Sequence, residues 1–154
     1  REHTAYAFEV VLDQGAYFEL KRHRLMTQTP QRLTASLGYA VPRLIAEAEF
    51  EAAYREAMDL AAEAYLRLAE WSPDVAAYIV PNGFKRRVLL NLNLREAFHF
   101  CELRSTAQAH FAIRRIALRM AERIREIHPL LAGFMRLPEG LTWQAVETEG
   151  FAQV

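Results

Sequence analysis

The sequence predicts an α+β protein that is rich in helix, with a small antiparallel sheet and long helices. A segment near the N-terminus alternates and carries the β-branched and aromatic residues of a strand. A second segment, in the middle of the chain, is an apolar run with basic residues at its entrance, which also predicts a strand. Between them, residues 42–71 carry apolar residues at helical spacing, with no glycine and no internal proline. At 154 residues, the chain fits one compact domain with a sizeable core.

The first half of the chain is predicted to contain one strand and two helices. "HTAYAFEVVL" (residues 3–12) alternates as a strand does, and turn residues follow it at 13–15. "AYFELKRHRLM" (residues 16–26) predicts a short helix, and Pro30 leaves residues 27–37 as a loop. Residues 42–71 predict one long helix, with proline in its first turn and Ser72-Pro73 after its end.

The second half is predicted to add one strand and further helices. "FKRRVLLNLN" (residues 84–93) follows a "VPNG" turn and predicts the second strand; Asn93 with Glu96 approximates a capping box. Residues 94–104 and 110–128 then predict two helices, the second of which is ended by Pro129. The core sides of these two helices would include Phe98, Leu103 and Ile127, among others. The tail from residue 137 has room for one short helix.

Composition excludes several classes of function. The 19 basic residues balance 19 acidic ones, and this argues against a protein that coats nucleic acid, which needs a cationic surplus. No apolar run reaches the roughly 20 residues that cross a bilayer. The single cysteine, Cys101, cannot form an internal disulfide or a multi-cysteine zinc site. These features suit a cytoplasmic protein that binds neither nucleic acid nor membrane.

A basic triplet, Arg22-His23-Arg24, is the first candidate for a binding site. Successive residues of a helix lie about 100° apart, so three in a row cannot face one pocket. Either the triplet is a basic last turn that complements the helix dipole, or different residues of the triplet serve different sites.

A second cluster lies in "NLNLREAFHFCELR", residues 91–104. Arg95 and His99 are four positions apart on the predicted helix, so they share a face and can meet one ligand. The alternative is an ordinary amphipathic helix with a satisfied histidine.

Four separated segments together resemble the flavin-dependent thymidylate synthases. The family signature R-H-R-x-x-S-x-N-x-x-S-x-R-Y aligns with the triplet, and its block N-A-R-x-x-x-[HN]-F-x-x-L-R aligns with residues 93–104. "EHTAYAFEVVLD" resembles an F-E-H strand of the family, and "IVPNGFKRR" resembles its L-P-N turn. The region that resembles the family covers residues 1–136, and the resemblance implies a further segment of the domain before residue 1. Residues 137–154 form a C-terminal extension.

The resemblance implies an activity and a set of ligands. The family makes thymidylate from deoxyuridylate (dUMP), taking carbon from methylenetetrahydrofolate and reducing power from NADPH through FAD, in homotetramers whose sites combine several subunits. The residues implied to contact FAD are Arg22, His23, Arg24, Asn93, Arg95 and His99. Arg104 would contact dUMP, and Arg32 could restore a second cation there.

The departures from the family pattern concentrate on the dUMP side. Glu19 replaces a glutamine that would meet uracil, and Ala77 replaces an arginine before the L-P-N turn. Other signature positions carry Thr27, Thr29, Arg32, Thr34 and Ala35, and the A-Q-W-E-I motif has become Ala109, His110, Phe111, Ala112 and Ile113. Two readings therefore stay open: a synthase with a rearranged substrate pocket, or a non-catalytic homologous domain, such as one half of a tandem protein, that supplies flavin-side and interface contacts to an intact partner.

Overall fold

The computed structural model describes residues 3–152, and over these residues it confirms the predicted α+β class. The strands are β1 (Ala5–Asp13), β2 (Thr27–Pro30) and β3 (Lys85–Asn93). The helices are α1 (Gln14–Leu20), α2 (Arg43–Glu47), α3 (Glu51–Trp71), α4 (Pro73–Ala76), α5 (Leu94–Arg104), α6 (Phe111–Ile127), α7 (Pro129–Ala132) and α8 (Trp143–Gly150). A single 3-10 turn, Ala77–Ile79, follows α4.

The three strands form one antiparallel sheet in the order β1-β3-β2. β1 pairs with the whole of β3, from Ala5 opposite Asn93 to Asp13 opposite Lys85. Alternate residues of β3 (Val88, Leu90 and Leu92) are buried, as the alternating sequence predicts. Both strands that the sequence predicts are therefore present, within two residues of their predicted ends.

The prediction of a loop over residues 27–37 is wrong in its first part. Thr27–Pro30 forms the edge strand β2, with Thr27 opposite Asn91 and Pro30 opposite Val88. Its four residues are polar or proline, and they lack the apolar alternation by which strands are found in a sequence. Proline is tolerated there because an edge strand has one unpaired side.

The predicted helix over residues 16–26 is also wrong at both ends. Asp13 is its N-cap, because its Oδ1 accepts a hydrogen bond from the amide of Ala16 at 2.8 Å, and α1 therefore begins at Gln14. α1 ends at Leu20, and Gln28 Nε2 donates to the carbonyl oxygens of Leu20 and His23 at 3.1 and 3.0 Å. The basic triplet thus lies in a turn after the helix.

The predicted helix over residues 42–71 is two helices, α2 and α3. Glu49, between them, has a φ of 62°, which is the left-handed region that breaks a right-handed helix. No glycine or proline marks this break in the sequence, so the periodic pattern continues across it.

Two apolar clusters form the interior. The larger lies between the sheet and helices α1, α5 and α6, and includes Leu90, Phe100 and Ile113. The smaller lies under α3 and includes Met58, Tyr65 and Phe84. Two predicted core residues are instead exposed: Leu103 is 46% exposed and Ile127, at the last position of α6, is 66% exposed.

The C-terminal extension contains the short helix α8, which packs on α6. After α8 the amide of Ala152 donates to the carbonyl of Val41 at 2.9 Å, so the extension pairs with the segment before α2. Gly150 is required at the end of α8, because a Cβ there would lie 2.2 Å from Cδ2 of Phe111.

Among the described residues, every helix is too short or too polar to span a lipid bilayer.

Candidate functional site

The turn after α1 buries the middle residue of the basic triplet and leaves the other two exposed. His23 is 5% exposed, whereas Arg22 and Arg24 on either side of it are exposed. The imidazole packs edge-on against Phe100, with ring centroids 5.0 Å apart, and lies 5.5 Å from the ring of His99. Two guanidinium groups therefore flank one buried imidazole.

Both ring nitrogens of His23 have partners. Nε2 lies 3.0 Å from Nε of Arg104, which can only donate, so Nε2 accepts. Nδ1 therefore carries the proton and donates to Oε1 of Glu96 at 3.0 Å. This arrangement requires a neutral imidazole, and it fixes the ring between helix α5 and the turn.

Burial lowers the pKa of His23 below its usual value of 6.5. The hydrogen bond to Glu96 and the charge of Glu96 act in the opposite direction, while the charges of Arg104 and His99 act with burial. The lowered pKa agrees with the hydrogen bond from Arg104, because a protonated ring could not accept it.

Arg104 is held within its own chain. Its Nη1 forms an ion pair with Oε2 of Glu19 at 2.9 Å, and its side chain is only 16% exposed. Its Nη2 also donates to the carbonyl of Glu19 at 3.4 Å. The residues Glu19, Arg104, His23 and Glu96 thus form a continuous polar network from α1 to α5.

A cleft of about 150 Å³ opens beside this network. Its lining includes five of the predicted site residues (Arg22, His23, Arg24, His99 and Arg104), together with Leu25, Glu96 and Leu103. Within residues 3–152, the side chains of Arg22 and Arg24 have no hydrogen-bond or ion-pair partner. Two guanidinium groups are therefore available to a ligand at this cleft.

The other predicted site residues lie outside the cleft lining. Asn93 caps α5, its Oδ1 accepting from the amide of Glu96 at 3.0 Å. Arg95 is exposed on the first turn of α5. Arg32 forms an exposed ion pair with Asp74 at 3.0 Å and does not join Arg104 in this chain. The predicted capping box also requires the Glu96 carboxylate to accept from the amide of Asn93. This carboxylate accepts from His23 instead.

Sequence reasoning missed three residues that position the cleft. Glu96 accepts from His23, Glu19 pairs with Arg104, and Gln28 holds the backbone of the turn. In the sequence, Glu96 stands beside Ala97 and four residues before Phe100, and a carboxylate at such a core-side position of a predicted helix is the signal that could have identified it. In the structure Glu96 is 1% exposed. In the sequence, Glu19 stands out only as a departure from the family pattern, and nothing in its spacing indicates its contact with Arg104.

Cys101 is not a nucleophile in this arrangement. It is fully buried on α5, and burial raises the pKa of its thiol to about 12. In the described part of the chain, His, Cys, Asp and Glu residues form no group of three that could hold a metal ion.

The protein family of the chain is shown by its match to a known family. Residues 1–130 match the model of a family described as thymidylate synthase complementing protein. The chain belongs to this family.

Three relatives each match most of the chain, but the chain spans only part of each of them. It is 40% identical over 135 residues to a UPF0159 protein of Chlamydia muridarum, covering 88% of the chain and 26% of that protein. A UPF0159 protein of Thermoplasma acidophilum is 41% identical over 137 residues (88% of the chain, 28% of that protein). The name of these two proteins states no activity.

The third relative carries the name of an enzyme. It is a flavin-dependent thymidylate synthase of Saccharolobus solfataricus, 32% identical over 141 residues. The alignment covers 84% of this chain and 53% of that protein. The chain thus spans about a quarter to a half of the length of these relatives.

Proposed function

We propose that the chain is a flavin-dependent thymidylate synthase-type protein that binds FAD at the Arg22–His23–Arg24 turn and has a diverged dUMP site. The observation that carries the proposal is a pair of unpartnered, exposed guanidinium groups that flank a buried imidazole. Family membership and the name of the enzyme relative supply the identity of the cofactor.

The residues of the cleft fit the chemistry of FAD. Guanidinium groups bind diphosphate oxygens through strong, charge-assisted hydrogen bonds, and positive charge near a flavin ring favours its reduced anionic form. Arg22, Arg24 and Arg95 would hold the cofactor, with His23, His99 and Asn93 beside it. When bound, FAD supplies hydride transfer between NADPH and the carbon that methylenetetrahydrofolate delivers to dUMP.

The size of the cleft supports an oligomeric site. Small-molecule sites usually enclose about 300–1,000 Å³, whereas this cleft measures about 150 Å³. One chain can therefore hold only part of a dinucleotide. A second wall from another subunit, as in a homotetramer, or from an intact homologous domain would complete the site.

An exposed-arginine substitution tests the FAD proposal. We expect the purified protein to bind FAD, with the absorption bands of a flavin in the visible spectrum after loading. Arg24→Gln should weaken FAD binding by about tenfold or more, because it removes one charge-assisted bond. Quenching of flavin fluorescence measures the affinity.

Arg67→Gln, at an exposed position of α3 outside the cleft, is the matched control and should leave the affinity for FAD unchanged. A wild-type protein that cannot be loaded with FAD would refute the proposal, as would equal FAD affinity in Arg24→Gln.

The second candidate function is a non-catalytic homologous domain that contributes flavin-side and interface contacts. One observation favours it: the cation that would meet dUMP, Arg104, already pairs with Glu19. Glu19 is also negative where the family pattern has a neutral amide. In this reading the domain binds FAD without dUMP.

Calorimetry with dUMP separates the two candidates. On the enzyme reading, flavin-loaded protein binds dUMP, and Arg104→Ala weakens dUMP while sparing FAD. Glu19→Gln should strengthen dUMP binding, because the amide removes the carboxylate that competes for Arg104 and repels phosphate. Glu102→Gln, a similar change on α5, is the control. Absence of dUMP binding in both the wild type and Glu19→Gln would leave only the non-catalytic domain.

A further inference from the structure

A cavity larger than the cleft of the basic triplet lies elsewhere in the described part of the chain. It measures about 530 Å³, within the usual range of small-molecule sites. Its walls come from the ends of β1 and β3, the segment before α2, helices α3 and α6, and the C-terminal extension. It shares no lining residue with the cleft.

The C-terminal extension builds one wall of this cavity. Glu147, Thr148, Phe151 and Ala152 line it, and all four lie beyond residue 130, where the family match ends. Phe151 is fixed by an edge-on contact with Phe111, with centroids 4.9 Å apart, and Ala152 pairs with Val41. The cavity is therefore a feature of this chain that the matched region alone does not complete.

The charges on the walls favour an anion. Three cations (Arg55, Lys85 and Arg115) face two carboxylates (Asp13 and Glu147). Arg55 pairs with Glu51 at 2.7 Å and Arg115 with Glu147 at 2.5 Å. Lys85 differs: the residue is half-buried, and within residues 3–152 its ammonium group has no hydrogen-bond or ion-pair partner.

Asp13 does not neutralise Lys85 by direct contact. The two residues are opposite each other in the sheet, but Asp13 Oδ1 accepts from the amide of Ala16 at the start of α1. Because Asp13 and Glu147 remain on the walls, a ligand with two negative charges would meet more repulsion than one with a single charge. The charge pattern suits a monoanion.

Apolar and aromatic groups complete the lining. Tyr39, Val11, Val41 and Phe151 offer surfaces for a ring or an aliphatic group. The guanidinium carbon of Arg115 lies 4.8 Å from the ring centroid of Phe151, which fixes both side chains. Such a combination of apolar walls and a few polar groups is typical of small-molecule sites.

We propose that this cavity, completed by the C-terminal extension, binds a small organic monocarboxylate with an aromatic or apolar body, whose carboxylate pairs with Lys85. The proposal is independent of flavin binding, and its test requires neither FAD nor dUMP.

Ligand-observed fluorine NMR tests the proposal on the whole protein. The probe is 4-fluorobenzoate, with neutral 4-fluorobenzamide as a probe of similar shape and inorganic phosphate as a competitor without an apolar body. We expect the protein to broaden the 4-fluorobenzoate signal and bind 4-fluorobenzamide at least tenfold more weakly, because the amide has no charge for Lys85. Phosphate should displace 4-fluorobenzoate poorly.

Substitutions of Lys85, which lines the cavity, and of Lys21, which lies outside it, show whether the probe binds in the cavity. Lys85→Met should weaken 4-fluorobenzoate by about tenfold, and Lys85→Arg should retain most of its affinity. Lys21→Met, the same change on the exposed Lys21 outside the cavity, should have no effect. Circular dichroism checks that each variant is folded.

Four results would each contradict the proposal, and the first three concern the fluorinated probes. They are no broadening of 4-fluorobenzoate by the wild type, equal affinity for the acid and the amide, and undiminished binding in a folded Lys85→Met variant. The fourth result is displacement of 4-fluorobenzoate by phosphate at equal concentration. It would show a general anion site and not one for monocarboxylates.

Discussion

At the scale of single residues, the imidazole of His23 joins the two segments that the sequence predicts as a binding site. Glu96 and Arg104 occupy its two ring nitrogens, and Arg22 and Arg24 extend from either side of it. The free guanidinium groups therefore depend on a buried neutral side chain for their position. A change in the charge of His23 would disturb all of these contacts.

The lowered pKa of His23 predicts a loss of stability in acid. Between its folded pKa and 6.5, the unfolded chain binds a proton at this position and the folded chain does not. The free energy of unfolding therefore falls as the pH drops through 6.5 towards the folded pKa. Denaturant unfolding of the wild type and of His23→Gln between pH 8 and pH 5 measures this dependence, which the variant should lose.

His3→Gln, at an exposed position before β1, is the control for the histidine substitution. It should retain the pH dependence of the wild type. An identical pH dependence in the wild type and His23→Gln would show that the imidazole is not held neutral by its surroundings.

At the scale of elements, helix α5 and strand β3 could be predicted from the sequence, because local patterns determine them. The predicted bounds of α5 are those observed, since Asn93 caps its start. β2 could not be predicted, because its pairing with β3 is non-local and its residues are polar. The end of α1 depends on Gln28, eight residues after Leu20, which no helix-termination rule considers.

The sequence motifs account for part of the lining of the candidate cleft. The matching motifs selected Arg22, His23, Arg24, His99 and Arg104, all of which line one cleft. Their separate orientations could not be predicted, because the turn that produces them is fixed by tertiary hydrogen bonds. For the same reason the pairing of Glu19 with Arg104, which are 85 residues apart in the sequence, could not be predicted.

The break between α2 and α3 yields a prediction about stability. A left-handed conformation costs a non-glycine residue about 1–2 kcal/mol, whereas glycine adopts it freely at a smaller entropic cost. Glu49→Gly should therefore raise the free energy of unfolding by up to about 1 kcal/mol. Chemical denaturation measures the change.

Glu47→Gly provides the control, because the same substitution two residues earlier falls within α2. It should lower stability by about 0.5–1 kcal/mol. Destabilisation by Glu49→Gly would contradict the left-handed conformation at this position.

At the scale of the whole molecule, apolar side chains remain uncovered around α7. Ile127 is 66% exposed, Leu130 is 85% exposed and Phe134 is 71% exposed. Patches of this kind mark surfaces that contact other proteins. Together with the small cleft, they support assembly of several chains, and the family resemblance implies a tetramer.

Sedimentation velocity tests this assembly. We expect the wild type to sediment as a tetramer and the double variant Leu130→Asp/Phe134→Asp to form smaller species, since each substitution places a charge in an apolar interface. Gln108→Asp, at an exposed polar position, should not change the sedimentation coefficient. A monomeric wild type would contradict assembly through any surface.

If the proposed enzyme function holds, the ion pair between Glu19 and Arg104 also determines what a nucleotide would have to displace. A carboxylate attached to the same chain competes at an effective concentration in the millimolar range, whatever the amount of protein present. A free nucleotide at micromolar levels therefore meets a rival that cannot diffuse away. Replacement of one amide by one acid at residue 19 would be enough to turn a substrate-binding cation into an internal structural one, without any change to the arginine itself.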